Sequence, residues 1–157
     1  MDIILRYLPK SLSAKDRKEQ KNMLSKSRRL YKKGIYYTRK NLKSFTTHKS
    51  KHVRNAMRLY NVDHIGATDE LSKASGCSKH ALGEIIRKGE GVYYSSGSRP
   101  NQTAQSWGIA RLASAITSGK AAAVDFKILQ QGCKSNSRAL RLAKHKHGRG
   151  TRRVPRA

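Results

Sequence analysis

The amino-acid sequence predicts a mainly α-helical protein: a small helical domain with a long basic N-terminal arm and a basic C-terminal tail. Apolar residues recur at helical spacing in several segments, and Ser, Thr or Gly stands where these segments begin and end. Charge is uneven, because residues 1–58 carry 18 Lys and Arg against 3 Asp and Glu, and residues 132–157 carry 9 against none. Since residues 59–131 are nearly neutral, we expect the independent core there.

The overall charge points to a negatively charged partner. The chain has 157 residues, the length of one domain or of two very small ones with tails, and a formal net charge of +26. Such a charge repels itself severely in a free globular domain, so we expect the protein to act against a polyanion or an acidic protein surface.

Cysteine use and hydropathy limit the environment. Cys77 and Cys133 are the two cysteines, and no secretory signal precedes them, so a reducing compartment is the expectation. No apolar run approaches the roughly 18 residues that a membrane span needs. Any membrane contact is therefore expected to be peripheral and electrostatic.

The arm, residues 1–60, is expected to hold one or two helices. Ser13, with Asp16 at the capping-box position, predicts a helix over 14–33. Residues 34–48 interleave Tyr, Thr and Phe with Lys and Arg and favour an extended segment. Such a segment could stack on nucleic-acid bases. Packing on protein is the favoured interpretation, because single-strand binders usually supply a folded platform and the sequence shows none.

The predicted domain, residues 61–146, begins with a helical hairpin over 68–88. Thr68 and Ser78 can cap its two helices, and Gly76 supplies the turn. The pattern resembles that of bacterial helix-turn-helix domains. Sequence reading of DNA is disfavoured, because residues 68–87 hold three acidic and three basic residues, with no net positive charge, and a glutamate would face the bases. The residues that would enter the groove are Lys79, His80, Gly83 and Glu84.

Three more helices are expected, over about 103–117, 120–131 and 135–146, with a basic tail at 147–157. The Gly- and Pro-containing stretch from Gly89 to Thr103 is expected to interrupt the helix before them. The predicted core residues in this part are Trp107, Leu112, Ile116, Val124 and Ile128.

The loop before the helix at 103 has two interpretations. Its polar side chains could tie down the loop and cap the helix, or they could hold an anion at the helix N-terminus. The residues of this anion or loop-ordering site are Ser98, Arg99, Asn101 and Gln102.

The arm and tail supply the expected contacts to a polyanion or partner. Each contact is expected to be individually replaceable, because such contacts act through charge rather than shape. They are Arg17, Lys18, Arg28, Arg29, Lys32, Lys33, Arg39, Lys40, Arg54, Arg149, Arg152 and Arg153.

Enzyme chemistry finds little support. Asp125 is the one acid in residues 95–131, and metal-dependent catalysis needs clustered carboxylates. Cys77 and His80 form one Cys-x-x-His pair without nearby further ligands, so no metal site is expected. We therefore expect no catalytic residues and no cofactor.

Two blocks carry a resemblance that covers most of the chain. They are YSSGSRPNQT at 94–103 and SWGIARLASAIT at 106–117, accompanied by YLPKSLS at 7–13 and SRRLYKKG at 27–34. Together they resemble an uncharacterised family of small basic proteins of nucleocytoplasmic large DNA viruses, including algal and amoebal giant viruses. The resemblance implies a viral setting and carries no catalytic residues.

The expected function is that of a non-enzymatic virion structural protein of a large double-stranded DNA virus, a minor capsid protein on the inner capsid face. Its partners would be other capsid proteins, with viral DNA or an anionic inner membrane surface. It would be found in the virion, and in the host cytoplasm or nucleus during assembly. The alternative is a viral DNA-binding protein that condenses the genome or regulates through its helix-turn-helix.

Overall fold

The computed structural model describes residues 2–149, apart from the side chains of residues 148 and 149, and is mainly helical. The predicted fold class, a mainly helical small protein, is confirmed. A short 3-10 helix, Leu5–Tyr7, precedes the α-helices of the described residues. These are α1 (Ala14–Tyr31), α2 (Lys51–Tyr60), α3 (Asp69–Ser75), α4 (Lys79–Ser95), α5 (Ala104–Ile116), α6 (Lys120–Val124), α7 (Phe126–Gly132) and α8 (Arg138–Arg149).

The described residues divide into two compact units. Unit 1 comprises residues 2–48 and 90–107, and unit 2 comprises residues 49–89 and 108–149. The boundaries fall inside α4 and α5. This division differs from the predicted arm at 1–60 and domain at 61–146, because the N-terminal segment folds together with the block around 94–103.

Helix α1 begins where the sequence predicts. The Ser13 side chain accepts a hydrogen bond from the backbone N–H of Asp16, and the helix ends at Tyr31. A turn follows in which Gly34 adopts a φ of 76°, a left-handed conformation that favours glycine. Residues 35–42 then form no regular secondary structure.

Helix α4 does not stop at Gly89. It continues to Ser95, so the first seven residues of the stretch expected to interrupt it are helical. Gly89 serves close packing here, since a Cβ built on it would lie 2.6 Å from the Cα of Gly108 in α5. The absence of a side chain lets two helix backbones approach, and tertiary packing overrides the weak helix propensity of glycine.

Unit 2 contains one large apolar cluster. Leu71 of α3, Leu82 and Ile85 of α4 and Leu112 and Ile116 of α5 are fully buried in it. Leu129, Ala139 and Ala143 bring α7 and α8 into the same cluster. Two of the predicted core residues, Leu112 and Ile116, are therefore confirmed, and Ile128 packs partly buried against the cluster.

The expectation for Val124 is wrong. Its exposed fraction is 62%. The predicted single helix over 120–131 is two short helices, α6 and α7, separated at Asp125, whose backbone leaves the helical conformation. Because the break changes the direction in which later residues point, the apolar spacing of an unbroken helix does not apply across it.

A disulfide joins Cys77 to Cys133, 56 residues apart in sequence. The backbone supports the same pairing, because Ser78 N–H donates to the Gly132 carbonyl and Lys134 N–H donates to the Gly76 carbonyl, both at 2.8 Å. The expectation of reduced cysteines therefore differs from the structure, which ties the turn before α4 to the segment after α7.

Unit 1 has two small apolar clusters. Ile3, Tyr7, Leu8 and Leu24 form the first, with Trp107 packed partly buried against it, so Trp107 belongs to the edge of this cluster. Leu12, Met23 and Leu42 form the second. These few residues leave much of the unit to be held by polar contacts.

Candidate polyanion-binding surface

A stretch free of acidic residues defines the candidate surface. Residues 20–62 contain thirteen Lys and Arg and no Asp or Glu. The stretch includes most of α1, the extended segment and α2. Because no acid neutralises the Lys and Arg side chains of residues 20–48, which lie in unit 1, this part of the stretch is the candidate surface for a polyanion.

The structure exposes about half of the predicted contact residues. An exposed Lys or Arg can reach a phosphate without displacing a structural contact, as a phosphate contact requires. The exposed ones are Lys18, Arg29, Lys32, Lys33, Lys40 and Arg54. Arg149 is the last residue of α8, and its side chain is not among those described. Arg152 and Arg153 lie outside the described residues.

Arg17 and Arg28 are half-buried and have structural partners. Arg17 Nη1 donates to the Leu8 carbonyl at 3.0 Å. Arg28 Nε donates to the Ser96 carbonyl at 2.9 Å, and its Nη1 donates to the Asp2 carbonyl at 3.3 Å. These side chains hold the chain of unit 1 together and are poor candidates for replaceable contacts.

Arg39 is the clearest correction to the predicted contacts, because it is 7% exposed. Its Nη1 donates to the Tyr93 carbonyl at 2.9 Å and to Ser27 Oγ at 3.0 Å, and its Nη2 donates to Ser98 Oγ at 2.8 Å. The guanidinium also lies 3.8 Å from the centre of the Tyr93 ring. Arg39 is thus an interior structural residue and does not meet solvent or a polyanion.

The end of α4 explains how a buried cation is accommodated. The last carbonyls of a helix lack partners within the helix and carry partial negative charge. Arg39 donates to the Tyr93 carbonyl, Ser27 Oγ donates to the Tyr94 carbonyl at 2.9 Å, and Arg28 donates to the Ser96 carbonyl. Burial lowers the pKa of Arg39. The partial negative charge of the helix terminus and the Tyr93 ring stabilise the guanidinium, and they offset part of the free-energy cost of burying it.

The predicted anion or loop-ordering site orders the loop. Asn101 Oδ1 accepts from Leu42 N–H at 2.6 Å, and its Nδ2 donates to the Leu42 and Phe45 carbonyls at 3.2 and 3.0 Å. Ser98 is buried between Arg39 and the Arg99 carbonyl. These bonds join the loop to the extended segment.

The remaining two residues of that site differ from each other. Gln102 accepts a hydrogen bond from Ser106 Oγ at 2.8 Å, next to the reciprocal bonds between Ser106 and Thr103 that cap α5. Arg99 is exposed. Three of the four predicted residues therefore take part in ordering the loop or capping the helix, and Arg99 points a positive charge to solvent.

Several acidic residues are engaged within the fold. Asp125 is fully buried and accepts two hydrogen bonds from Arg111, at 2.7 and 2.8 Å, with Lys88 Nζ at 3.6 Å. Asp16 accepts from the N–H and Oγ of Ser44. Because Arg111 and Lys88 neutralise the buried Asp125 carboxylate, this acid does little to reduce the positive field of the exposed lysines and arginines.

The helical hairpin is present as α3 and α4. Thr68 caps α3 through a hydrogen bond from Leu71 N–H, and Gly76 ends it with a φ of 80°. Lys79 forms an ion pair with Asp69 at 2.9 Å, His80 is exposed, and Gly83 and Glu84 are half-buried. The lysine is paired with an acid, and a glutamate lies on the same helix. This face therefore has little of the character of a DNA-reading surface.

A row of tyrosine rings lies in unit 1. It was not predicted from the sequence. We call Tyr31, Tyr36, Tyr94 and Tyr93 the tyrosine row. The ring centres are 6.1 Å apart for Tyr31 and Tyr36, 5.0 Å for Tyr36 and Tyr94, and 5.1 Å for Tyr94 and Tyr93. The pairs Tyr36-Tyr37 and Tyr93-Tyr94 are visible in the sequence, but their proximity depends on long-range packing.

Two kinds of feature are absent from the described residues, 2–149. Within that range no group of three or more His, Cys, Asp and Glu residues is placed to hold a metal ion. None of the helices described is long and apolar enough to cross a membrane.

Comparison with protein-family models identifies the family of the chain. Residues 5–133 match the model of a family of unknown function, DUF5824. The chain belongs to this family. The match covers both units in part, and it includes the acid-free stretch, the tyrosine row and the disulfide. Searches of curated proteins and of solved structures found no match.

Proposed function

We propose that this member of the DUF5824 family is a non-enzymatic structural protein of a large double-stranded DNA virus particle. In this proposal it is a minor capsid protein on the inner capsid face. Its exposed basic residues contact phosphates of the genome or of an inner membrane, and other surfaces contact capsid proteins. The viral setting comes from the sequence resemblance of the 94–103 and 106–117 blocks.

The observation that carries the proposal is the acid-free stretch on a folded support. Seven of the nine Lys and Arg in residues 20–48 are exposed: Lys21, Lys26, Arg29, Lys32, Lys33, Lys40 and Lys43. A surface of this kind binds phosphates through counterion release, without reading a sequence. Ordered packing of the surrounding chain suits a protein that occupies a fixed place in an assembly.

The first test is fractionation of nuclease-treated virions into emptied shells and released genome at moderate salt, with the protein quantified in each fraction. Retention in the shells is expected. Release with the genome would favour the alternative, a packaged DNA-binding protein. Absence from the particles would contradict both virion assignments.

The alternative is supported by the hairpin of α3 and α4, which has the form of a helix-turn-helix. The two proposals differ in the residues that matter for DNA binding. A regulator should lose sequence preference on Lys79→Ala or Glu84→Ala. A phosphate-contacting structural protein should show no sequence preference and a steep negative dependence of log affinity on log salt.

A matched pair of triple variants locates the phosphate contacts. Substituting Arg29, Lys32 and Lys33 by Ala should weaken duplex binding and reduce the salt slope by about 3, since each phosphate contact contributes about 0.9. Substituting Lys73, Lys120 and Lys127 by Ala removes the same charge from exposed positions of unit 2. Equal losses in the two variants would show that net charge alone matters and that the proposed surface has no special role.

A further inference from the structure

We propose that the tyrosine row of unit 1, with its flanking lysines and arginines, binds single-stranded nucleic acid by stacking unpaired bases on exposed rings. This inference concerns a binding activity of unit 1 and stands apart from the location of the protein in a virion. It follows from the exposure of the rings, their fixed arrangement and the charge around them.

Exposed aromatic area is concentrated at one place. The exposed large apolar side chains of the described residues are Tyr31, Ile35, Tyr36 and Val124, so three of these four lie within six residues of one another. Tyr36 is the most open, with 69% of its surface exposed, and Tyr31 is 38% exposed. A concentrated exposed apolar patch on an otherwise highly charged surface is typical of a binding site.

The row is held in place from its inner end. Tyr93 is fully buried, and its hydroxyl accepts a hydrogen bond from Arg39 N–H at 2.9 Å while the Arg39 guanidinium packs on its ring. Tyr94 meets Tyr93 edge to face at 88°, and Tyr36 lies against Tyr94 at 31°. The exposed rings therefore sit on an ordered support, and little conformational entropy remains to be lost on binding.

The surrounding charge identifies the class of ligand. Arg29, Lys32 and Lys33 are exposed in the last turn of α1 and directly after it, next to Tyr31 in sequence. Lys26 lies 4.5 Å from the centre of the Tyr37 ring, and Lys40 is exposed on the following segment. Because no acid occurs in residues 20–62, the patch is complementary to a polyanion. An acidic protein would match the charge but would not need exposed aromatic rings.

Stacking distinguishes single strands from duplexes. Aromatic rings beside a basic surface hold single strands because each unpaired base has a free face, and each stacked base contributes about 1–3 kcal/mol by alanine substitution. In a duplex those faces are covered by neighbouring base pairs. A folded platform for the aromatics, which the sequence did not reveal, is present in the tyrosine row.

The test compares Tyr36→Ala with Tyr36→Phe in the full chain. Fluorescence anisotropy would measure binding to a labelled 15-nucleotide oligo(dT) and to a 15-base-pair duplex at several salt concentrations. Tyr36→Ala should weaken oligo(dT) binding by about 5- to 150-fold and leave duplex affinity and the salt slope unchanged. Tyr36→Phe should bind oligo(dT) within about 2-fold of the wild type, because the ring remains.

Val124→Ala is the matched control, since Val124 is 62% exposed but lies in unit 2, and it should change neither affinity. Tyr36→Trp, which presents a larger ring, should bind oligo(dT) at least as tightly as the wild type. Unchanged oligo(dT) affinity in Tyr36→Ala would overturn the proposal and leave the patch to a protein partner. Equal loss for oligo(dT) and duplex, or weaker oligo(dT) binding in Tyr36→Trp, would also overturn it.

Discussion

Unit 2 gathers eighteen buried residues into one apolar cluster, whereas the two apolar clusters of unit 1 have four and three buried residues within the described part of the chain. Unit 1 compensates with side chains that bond to backbone carbonyls. Gln20 donates to the Tyr7 carbonyl, and Arg28 and Arg39 donate to carbonyls at the end of α4. Unit 1 therefore uses part of its positive charge as internal support.

These two ways of holding a unit together fail differently. Apolar packing tolerates substitutions that conserve volume, because it does not depend on direction. A buried hydrogen bond loses its contribution when either partner is removed, and the remaining group is left unsatisfied. Unit 1 should therefore be sensitive to single polar substitutions that would be harmless on an exposed surface.

The largest expected effect concerns unit 2. Replacing Cys77 and Cys133 by Ser removes a bridge that closes a loop of 56 residues in sequence separation, which should lower the free energy of unfolding by about 4 kcal/mol in the chain-entropy model. Urea unfolding of the wild type and the double variant would measure it. Hydrogen exchange should show that protection falls more in residues 49–89 and 108–149 than in unit 1.

The same experiment tests whether unit 2 depends on the disulfide. Dithiothreitol should lower the stability of the wild type to that of the double variant and leave the double variant unchanged. A loss of less than about 1 kcal/mol would mean that the apolar cluster of unit 2 is sufficient without the bridge.

The next effect is in unit 1, where Arg39→Ala should lower the free energy of unfolding by about 3 kcal/mol. The substitution removes the donor to Ser27, Tyr93 and Ser98 and leaves a cavity beside the Tyr93 ring. Arg39→Lys should also destabilise, because an ammonium group cannot reproduce the planar arrangement of donors.

Arg29→Ala is the matched control for Arg39→Ala, since Arg29 is an exposed arginine of the same unit. Its effect on stability should be within about 0.5 kcal/mol. Chemical unfolding of all three variants distinguishes the roles. Equal stability of Arg39→Ala and Arg29→Ala would mean that Arg39 is a surface contact after all.

A smaller loss, about 2 kcal/mol, is expected for Asn101→Ala. The variant removes the side chain that bonds the Leu42 N–H and carbonyl, the Phe45 carbonyl and Thr47 Oγ1. Hydrogen exchange should increase at Leu42. Gln105→Ala, at an exposed position of α5, is the control and should leave that exchange unchanged.

Local patterns predict much of the fold. Caps at Ser13 and Thr68 and the turn at Gly76 mark helix ends correctly, because capping depends on neighbours within a few residues. Gly89 and Val124 are mispredicted for the opposite reason. The close approach of Gly108 and the burial of the Asp125 carboxylate against Arg111 are contacts across the chain, and no local spacing encodes them.

For the candidate surface too, local composition is predictable from the sequence and long-range contacts are not. Acid-free composition can be read from the sequence, and it indicates a polyanion partner without a structure. The difference between Arg29 and Arg39 cannot be read in this way, since both are arginines in the basic arm. Only the position of the end of α4 turns Arg39 inward. The tyrosine row likewise requires residues 31–36 to meet residues 93–94.

The smallest expected effect tests the bond between α1 and the extended segment. Hydrogen bonds from the Oγ and N–H of Ser44 hold the pKa of Asp16 below its ordinary value of 3.8. A lowered pKa in the folded state stabilises the fold above the unfolded pKa, and this contribution is lost as the pH falls through the folded-state pKa. The contribution should therefore be complete at neutral pH, begin to fall below about pH 4 and be lost once the pH lies below the folded-state pKa.

An NMR titration of the Ser44 amide proton would check this. Its chemical shift should change with a midpoint below 3.8, and the change should disappear in Asp16→Asn, which cannot ionise. A midpoint at or above 3.8 would contradict the bond between Asp16 and Ser44. Because Ser13 N–H donates to Ser44 Oγ, losing the Asp16 carboxylate should also loosen the start of α1. Unit 1 would then depend on polar contacts even at the start of α1, whereas the core of unit 2 depends on apolar packing and a covalent bridge.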